Sequence, residues 1–518
     1  MPCKLARWRA PLPAVALAVT AALVASGCAV GPDFHAPAAP PAAGFTVAPL
    51  PPATAAADTP AGAAQRFLSG ADLDFDWWKA FECPALNALV ERSLRANPTV
   101  AAAQAALRQA QELVYAQQGY FFPSVAASYA FERQQAAGNI ASSTAPGAQG
   151  NGQNLVPSAP AQPLLFNFHT AELTVGYTPD VFGANRRKVE SLAAQAASAR
   201  FELEATYVTL AANVVAAAIQ EASLRAQLSA TAAIIEDDQK SLALMQEKYR
   251  HGYAAALEVA GQEAQLAQAR ALLPPLARQL EQTRDLLRAL AGQLPDQELV
   301  QTFELGALRL PQELPVSVPA RIIEQRPDVR AAAEQMRSAN AQVGVAVAAM
   351  LPQFSISGAV GGTANEFAWM FRNGGPFWSL VAGVSQPLFA GGTLLHTKRA
   401  ADQALLQAAA QYQQAVLVAY QNVADTLHAI VADADGLAAA DAAERAARAA
   451  RDVTRAQLQE GFVDGVALLA AEVTYQQASL ALVQAQALRF GDTAALYQSL
   501  GGGWWNRSAA LVAAGAGP

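Results

Sequence analysis

One long pattern occurs twice in this sequence, about 230 residues apart, and it limits the fold more than any other feature. Residues 97–131 (NPTVAAAQAALRQAQELVYAQQGYFFPSVAASYAF) align without a gap with residues 326–360 (RPDVRAAAEQMRSANAQVGVAVAAMLPQFSISGAV), which places Pro98 over Pro327. Each copy has proline at the first position of a predicted helix, where its missing N–H would be unpaired anyway. Each copy ends in the apolar–polar alternation of a strand. The chain therefore leads from a helix into a strand twice.

Four segments alternate in this way, with apolar residues on one side and polar residues on the other. The apolar positions are Val125, Ala127, Tyr129 and Phe131 in the first, Leu173, Val175 and Tyr177 in the second, Phe354, Ile356 and Val360 in the third, and Trp378, Leu380 and Val384 in the fourth. Such strands suit a sheet between lipid and water or a half-buried sheet of a soluble sandwich. The linkers 136–165 and 363–376 are rich in Gly, Ser, Asn and Pro, like surface loops that join hairpins, and favour the membrane sheet.

Most of the remaining sequence has the three- and four-residue spacing of apolar side chains that is typical of coiled-coil helices. The longest stretches run over about 184–249 and 393–459, and a helix of that size is roughly 100 Å long. Hydrophobic residues make up 53% of the chain but aromatic residues only 7%, so alanine favours thin, closely packed helices. In the fourth long helix, Pro274 and Pro275 predict a kink or a break.

The later part of each half is repeated as well. Residues 251–264 (HGYAAALEVAGQEA) align with 460–473 (EGFVDGVALLAAEV), and the register continues without a gap to Gly292 over Gly501. Each half is therefore predicted as helix, strand, strand, helix, tip and helix. Four amphipathic strands cannot close a barrel alone, and an open sheet edge in lipid leaves backbone groups unpaired. If these strands lie in a membrane, several chains must contribute to one barrel.

The N-terminal residues predict export and a lipid anchor. A basic leader and an apolar stretch form a signal peptide, residues 1–27, that is too short to be a spanning helix. The sequence SGC that ends at Cys28 predicts a lipobox, in which Cys28 is acylated and becomes the new N-terminus. The alternative is ordinary cleavage near Ala25, with Cys28 left free. Residues 29–62 predict an extended segment rich in Pro and Ala, and only Cys83 remains as a further thiol of the mature chain.

These residues resemble those of a known family, the outer-membrane factors of tripartite efflux pumps (the TolC type, and within it the NodT branch of outer-membrane lipoproteins). The resemblance covers nearly the whole chain, from Cys28 to about Gly502. The matching motifs are CAVGPDFHAP (28–37), FDWWKAFECPALNALVERSLRANPTV (75–100), RPDVRAAAEQM (326–336), WSLVAGVSQPLFAGG (378–392) and the two glycine-bearing tips. Their order and spacing carry the match. Cys83 departs from the family, which commonly has Asp there.

The resemblance implies a mainly α-helical chain with a membrane β-barrel section. In such a homotrimer, four strands per chain form a twelve-stranded outer-membrane β-barrel, continued by a long periplasmic α-helical barrel of coiled-coil helices. It is a passive exit duct for small molecules such as drugs or toxic compounds, without catalytic activity or cofactor. Its partners are a periplasmic membrane-fusion adaptor, an inner-membrane pump, often of the RND class, and outer-membrane lipid through acylated Cys28. Two other functions stay open: a type I-like protein secretion conduit, and a lipid-anchored periplasmic coiled-coil scaffold.

The repeat and the resemblance together predict the domain boundaries. They are 1–27 signal peptide, 28–75 lipidated extended segment, 76–122 first-repeat N-terminal helices, 123–179 two strands with extracellular loop 136–165, 180–292 long helical hairpin with its tip near 252, 293–325 equatorial linker, 326–351 second-repeat N-terminal helix, 352–390 two strands with extracellular loop 363–376, 391–502 long helical hairpin with its tip near 461, and 503–518 flexible C-terminal tail. The expected location is the outer membrane, lipid-anchored and membrane-spanning, with a large periplasmic section.

In that family the helix tips with paired glycines form the periplasmic gate and the adaptor contact. The residues that the resemblance assigns to this site are Tyr249, Arg250, Gly252, Tyr253, Glu258, Glu460, Gly461, Phe462, Asp464 and Glu472. Simple turn chemistry also explains both glycines, since tight turns between helices need a positive φ. Ala467 and Ala470 stand where an acidic ring usually lies, which leaves Asp464, Glu258 or Glu472 as nearby sources of negative charge.

An enzyme is the first alternative class, and no motif supports it. The histidines His35, His169, His251, His396 and His428 form no metal-ligand spacing, and the sequence has neither a G-x-S-x-G elbow nor a P-loop. No metal or catalytic residue is therefore expected. A net charge of −7 without a basic stripe gives no reason to expect nucleic acid.

Overall fold

The computed structural model describes residues 29–38, 41, 44–136, 164–372 and 374–507. The predicted signal peptide, Cys28, nearly all of the loop 136–165 and most of the predicted C-terminal tail lie outside the described residues. The chain divides into two compact units. The sheet unit holds residues 111–194, 337–406 and the described residues before His35, and the helical unit holds residues 35–110, 195–336 and those from 407 onward.

Eight α-helices occur in the described ranges. They are α1 (Pro84–Ala96), α2 (Pro98–Gln118), α3 (Ala184–Arg250), α4 (Ala256–Leu290), α5 (Ile322–Gln325), α6 (Pro327–Ala348), α7 (Thr393–Gln459) and α8 (Gly465–Ser499). The 67 residues of α3 and of α7 make each helix roughly 100 Å long, as the coiled-coil spacing predicts. Three of the helices, α3, α7 and α8, are long and apolar enough to cross a membrane by length and composition alone.

The break predicted at Pro274 and Pro275 is wrong. Helix α4 runs without interruption from Ala256 to Leu290 with both prolines inside it. Both prolines lie at exposed positions, so water can hydrate the carbonyl groups that lose their intrahelical partners. The helix has 18 residues before these prolines and 15 residues after them, so most of its hydrogen bonds do not involve them.

Six strands occur in the described residues: β1 (Arg66–Ser69), β2 (Ser124–Ala136), β3 (Leu164–Tyr177), β4 (Glu313–Val316), β5 (Gln353–Ala364) and β6 (Pro376–Ser385). The four longer strands form one antiparallel sheet in the order β2–β3–β5–β6, which confirms the four predicted strands. Within the described part of the chain, the outer edges of β2 and β6 have no pairing partner. This sheet is therefore open at both sides.

One face of the four-stranded sheet is apolar. Residues directly opposite each other on neighbouring strands share a face, and Val125 lies opposite Val175, Leu173 opposite Val360, and Val360 opposite Trp378. The other face carries the polar residues Ser124, Ser128, Glu132, Thr170, Glu172, Thr174, Ser355, Ser357 and Ser379. The apolar side chains are largely exposed in the single chain. A sheet with these two faces suits a boundary between lipid and water.

The sequence did not predict the parallel pair β1 and β4. Arg66 lies opposite Glu313 and Ser69 opposite Val316, which joins segments from distant parts of the helical unit. Each strand has only four residues, and β4 contains Pro315. Segments this short carry no usable alternation, so the pairing is not visible in the sequence.

The repeat is also visible in side-chain contacts of the helical unit. Asn97, which precedes α2, donates from Nδ2 to Leu290 O at 2.9 Å. Arg326, which precedes α6, donates from Nη1 to Ser499 O at 3.1 Å. In each half, the residue before the proline-initiated helix therefore binds the C-terminal turn of the second hairpin helix.

The apolar core of the helical unit forms around the aromatic segment WWKAF. Trp77, Trp78 and Phe81 are buried there. The rings of Phe490 and Tyr497, from α8, lie 6.3 Å and 6.5 Å from the ring of Phe81 between centroids. The same cluster includes α3 residues between Leu203 and Ala222, and we call it the apolar core.

Candidate functional site

Both helix tips end in the same hydrogen-bonded turn. At the first tip, Gly252 N donates to Tyr249 O (3.0 Å) and Tyr253 N donates to Lys248 O (2.8 Å). This pair of bonds is the Schellman motif, in which the residue after the helix has a positive φ. Gly252 has a φ of +79°, so a side chain at this position would strain the backbone.

The second tip repeats these bonds. Gly461 N donates to Leu458 O (3.2 Å), Phe462 N donates to Gln457 O (2.9 Å), and the φ of Gly461 is +82°. Among the described atoms, none lies within 4 Å of the place that a Cβ would take at Gly252 or Gly461. Conformation rather than lack of space therefore requires glycine. The turn chemistry predicted for both positions is confirmed.

The two tips meet around one groove with a volume of about 960 Å³. The predicted site residues that line it are Gly252, Tyr253, Glu258, Glu460, Gly461, Phe462 and Asp464. The other lining residues are Met245, Lys248, Ala254, Ala255, Leu458, Gln459 and Val463. Tyr249, Arg250 and Glu472 are not among the lining residues. The structure thus brings together seven of the ten tip residues that the sequence singled out.

Large apolar side chains are exposed at the end of this groove. Tyr253 is 83% exposed and Phe462 is 79% exposed, and these two residues occupy equivalent positions of the two tips. Tyr249 and Leu257 are exposed beside them. Exposed aromatic residues of this size, clustered rather than scattered, mark interaction surfaces.

Glu258 joins the two tips. Its Oε1 accepts a hydrogen bond from Gly465 N (2.6 Å), which is the first residue of α8, and its Oε2 accepts one from Ala255 N (2.6 Å). Both donors lie at helix N-termini, where unpaired N–H groups and the helix dipole favour a carboxylate. The carboxylate of Glu258 therefore holds the second tip against the first.

Two other charged residues of the predicted site make local contacts. Asp464 Oδ1 accepts a hydrogen bond from Ala467 N (2.9 Å) and caps the N-terminus of α8. Arg250 forms an exposed ion pair with Glu247, three residues earlier in α3. Each of these contacts stabilises one tip rather than linking the two.

Glu472 lies deeper between the helices. It is 3% exposed and accepts hydrogen bonds from Ser241 Oγ, from Gln262 Nε2 (2.9 Å) and from Arg455 Nη2 (3.2 Å). Its carboxylate therefore has partners on α3, α4 and α7. In the single chain it does not reach the surface of the groove.

Sequence reasoning missed Lys248 and Gly465. The Nζ of Lys248 donates to Leu458 O and so links the two tips a second time. A Cβ at Gly465 would lie 2.8 Å from Met245 Sδ and 2.9 Å from Glu258 Oε1. The sequence shows Gly465 only as a glycine at the start of a helix. Its close packing depends on Met245 and Glu258, which are distant in the chain, so the sequence alone does not predict it.

The residues that follow Cys28 are held at a corner of the sheet unit. Val30 N donates to Phe182 O (3.1 Å), and Arg187 donates to Val30 O (3.1 Å) and to Asp33 Oδ1 (2.8 Å). Asn340 Nδ2 donates to Pro32 O (2.9 Å). Phe182 lies between the end of β3 and the start of α3. The extended segment therefore begins beside the strands, although Cys28 itself lies outside the described residues.

In the part of the chain that the structure describes, no group of three or more His, Cys, Asp or Glu side chains is arranged to hold a metal ion. His251 Nε2 lies 2.9 Å from Glu247 Oε1 at the exposed first tip. The tip residues thus offer hydrogen bonds, charge and apolar surface.

A family model described as "Outer membrane efflux protein" matches residues 89–293 and 318–502 of this chain. The two matched stretches together span most of the sequence and include both tips. They correspond to the two repeats of the fold.

Curated relatives and solved structures agree with this match. The chain is 27% identical over 432 residues to the pyoverdine export outer membrane protein OpmQ of Pseudomonas putida, covering 83% of this chain and 88% of that protein. It is 27% identical over 508 residues to the antibiotic efflux pump outer membrane protein ArpC of Pseudomonas putida, covering 95% and 96%. The solved outer-membrane channel OprN superposes with a TM-score of 0.79 at 28% identity, covering 92% of this chain and 100% of OprN.

Proposed function

This chain belongs to the outer membrane efflux protein family and is an outer-membrane exit channel, and from that premise we propose that it works as a homotrimer. The observation that carries the proposal is the four-stranded sheet with one exposed apolar face and two unpaired edges. An open edge in lipid leaves backbone N–H and C=O groups unpaired, at several kcal/mol each. Three copies that pair β2 with β6 of the next copy form a closed twelve-stranded barrel.

The sheet, rather than the long helices, is the part proposed to span the membrane. Helices α3 and α7 are each roughly 100 Å long, about three times the thickness of a bilayer core. Glu221 of α3 pairs with Arg284 of α4 (2.8 Å), and charged side chains of this kind are rare in helices that lie in lipid. The helices are therefore assigned to a periplasmic α-helical barrel.

The transported compounds are proposed to be small molecules. Relatives carry names that refer to pyoverdine export, antibiotic efflux and toluene efflux. Drugs or toxic compounds delivered by an inner-membrane pump are the corresponding cargo for this chain. A protein secretion conduit would share the fold and differ in its partners, so it is the second candidate.

Acylation of Cys28 is proposed to anchor the chain in the outer membrane. The support is the contact of Val30 with Phe182 and Arg187, which holds the segment after Cys28 beside the end of β3. The proposed acylation site precedes this held segment by two residues in the chain. The anchor would then add to the hold of the barrel rather than replace it.

The two tips are proposed to form the periplasmic gate and to dock a periplasmic adaptor, which connects the duct to an inner-membrane pump of the RND class. Tyr253 and Phe462 supply exposed apolar surface for docking. Glu258 and Lys248 link the tips. Glu472 is proposed to hold the helices together behind the tips, because its buried carboxylate accepts hydrogen bonds from three donors on α3, α4 and α7.

A matched pair of substitutions tests the membrane sheet. Leu380 lies on the apolar face of β6, and its neighbour Ser379 lies on the polar face. Leu380→Lys places a charge in lipid and is expected to destabilise the inserted barrel by about 2–4 kcal/mol, whereas Ser379→Lys leaves it nearly unchanged. The readout is the fraction of detergent-extracted protein that migrates as the folded, heat-modifiable form. Equal effects of the two lysines would contradict a lipid-facing sheet.

A further inference from the structure

Buried and partly buried polar side chains join four long helices between the tips and the apolar core. We call them the polar layer: Asp237, Asp238 and Ser241 of α3, Gln262 and Gln265 of α4, Arg451 and Arg455 of α7, and Glu472 and Gln476 of α8. The link between α4 and α8 includes a bond from Gln265 Nε2 to Gln476 Oε1 (2.7 Å). The polar layer thus includes residues from all four helices that lead to the tips.

One carboxyl group of the polar layer is poorly satisfied. Asp238 is 1% exposed, and its Oδ2 has no hydrogen-bond partner among the described residues. Its neighbour Glu472 has its own donors, Ser241, Gln262 and Arg455. An ionised carboxylate with a buried, unpartnered oxygen is disfavoured, so this geometry favours the neutral acid. Burial first, and then the negative charges of Glu472 and Asp237, raise the pKa of Asp238 to about 7.

The charges around Asp238 do not balance when it is ionised. The charged groups that act on Asp238 are Asp237 on α3, Arg455 on α7 and Glu472 on α8, whereas the residues that α4 contributes to the layer are the neutral Gln262 and Gln265. Beyond them in the layer, Arg451 of α7 contacts Asp237, Asp452 and the ring of Tyr475. Arg451 already pairs with Asp237 (3.1 Å) and Asp452 (2.7 Å), and Arg455 with Glu472 (3.2 Å). Among the described residues, both guanidinium groups thus have other carboxylate partners, and Arg455 offsets only part of the repulsion that Asp238 feels from Glu472 and Asp237.

We propose that Asp238 holds a proton in the packed arrangement seen here, and that losing this proton loosens α3 from α8. The tip ends of the helices then open more readily in alkaline than in acidic medium. This inference rests on the proposed role of the tips as the gate, and it adds a means by which pH controls that gate. It concerns a group that lies more than two helical turns from the tip glycines.

The direction of the effect follows from proton linkage. An acid whose pKa is higher in the packed form than in the opened form binds more protons when packed. The stabilisation of the packed form is therefore present in acid and is lost as the pH rises through about 7. Between about pH 5.5 and about pH 8, the opening equilibrium of the polar layer should rise roughly thirtyfold.

Hydrogen–deuterium exchange on the full-length protein in detergent tests the proposal. The intrinsic exchange rate at each pH is divided by the observed rate, which gives a protection factor for each segment. Segments 233–245 of α3 and 467–477 of α8 should lose protection by roughly thirtyfold between about pH 5.5 and about pH 8. Segment 208–219, which packs in the apolar core, should not change. Unchanged protection of the first two segments in the unmodified protein would overturn the proposal.

Two variants assign the effect to its residue. Asp238→Asn mimics the protonated acid and is expected to remove the pH dependence of both segments. Asp433→Asn is the matched control, because burial, the hydrogen bond that protonated Asp433 shares with the Asp492 carboxylate, and the negative charge of Asp492 also raise the pKa of Asp433 to about 7, at a different place in the helical unit. That control should leave the pH dependence in place. Full pH dependence in Asp238→Asn would overturn the assignment.

The exchange experiment is independent of transport. It measures the opening of helices in the purified protein, so its result decides the role of Asp238 whether or not the tips conduct. A pH-dependent opening without any change in conductance across a bilayer would contradict the gate at the tips. It would still support the proposed effect of Asp238 deprotonation on the packing of α3 against α8.

Discussion

The apolar core and the polar layer belong to the same helices but are held together differently. In the apolar core, Phe81, Phe490 and Tyr497 pack as buried rings. In the polar layer, the contacts between helices are hydrogen bonds and ion pairs, such as those of Glu472. Apolar packing stabilises one close-fitting arrangement. Hydrogen bonds can be exchanged for water or for other partners, at a net change of only about 0.5–1.5 kcal/mol each.

We infer that this difference separates a fixed part of the duct from a part that can rearrange. The apolar core lies near the contacts of Asn97 with Leu290 and of Arg326 with Ser499. At these contacts, the start of the proline-initiated helix of each half meets the end of the second hairpin helix of that half. The polar layer lies next to the tips that are proposed to open. A gate needs two arrangements of similar free energy, and a polar contact region provides them more easily than a tightly packed one.

Loss of a ring from the apolar core should have the largest effect. Phe81 is fully buried, and Phe81→Ala is expected to lower the free energy of unfolding by about 3–5 kcal/mol, because it leaves a cavity. Thermal unfolding followed by circular dichroism of the detergent-solubilised protein measures this. The control is Phe462→Ala at the exposed tip, which should change stability by less than about 0.5 kcal/mol but weaken adaptor binding. Equal destabilisation by the two alanines would remove the contrast between core and tips.

Weakening the link between the tips should have a smaller and local effect. Glu258→Gln leaves one of the two N–H groups, Gly465 N or Ala255 N, without its carboxylate acceptor. We expect the tips to be destabilised by about 1–3 kcal/mol, seen as faster hydrogen exchange around residues 254–262, while the melting temperature stays the same. Glu263→Gln, an exposed glutamate of the same helix, is the control. If both variants exchange alike, Glu258 does not join the tips.

Loss of a single helix cap should have the smallest effect. Asp464→Ala removes the acceptor for Ala467 N at the start of α8, and is expected to reduce the local stability of that tip by about 1 kcal/mol. Hydrogen exchange of residues 465–470 is the measurement. Glu460→Ala, in the same turn, should leave that segment unchanged. Faster exchange in the Glu460 variant alone would show that the cap is not what orders the second tip.

Local sequence signals predicted much of the fold. The proline at position 98 and the apolar spacing after it predicted α2, whose bounds are Pro98–Gln118. The alternation of Trp378, Leu380 and Val384 predicted β6 and the face that these residues share. The positive φ at Gly252 and Gly461 followed from their place between two helices. Each of these features depends on residues that are close together in the chain.

Features that depend on distant residues were not predictable. Glu472 was expected near the gate surface, but its burial depends on Ser241, which lies 231 residues away. The contact of Glu258 with Gly465 spans 207 residues. Pro274 and Pro275 were expected to interrupt a helix that in fact continues, because both lie on its exposed side. Burial and exposure are set by the packing of helices, which a single sequence does not contain.

Imaging of the purified mature protein tests the central claim most directly. The protein would be extracted from outer membranes in detergent and examined by negative-stain electron microscopy. We predict threefold end views and a hollow helical section on the order of 100 Å long. Compact monomers, or solid rods without a lumen, would contradict the exit channel and favour a lipid-anchored coiled-coil scaffold.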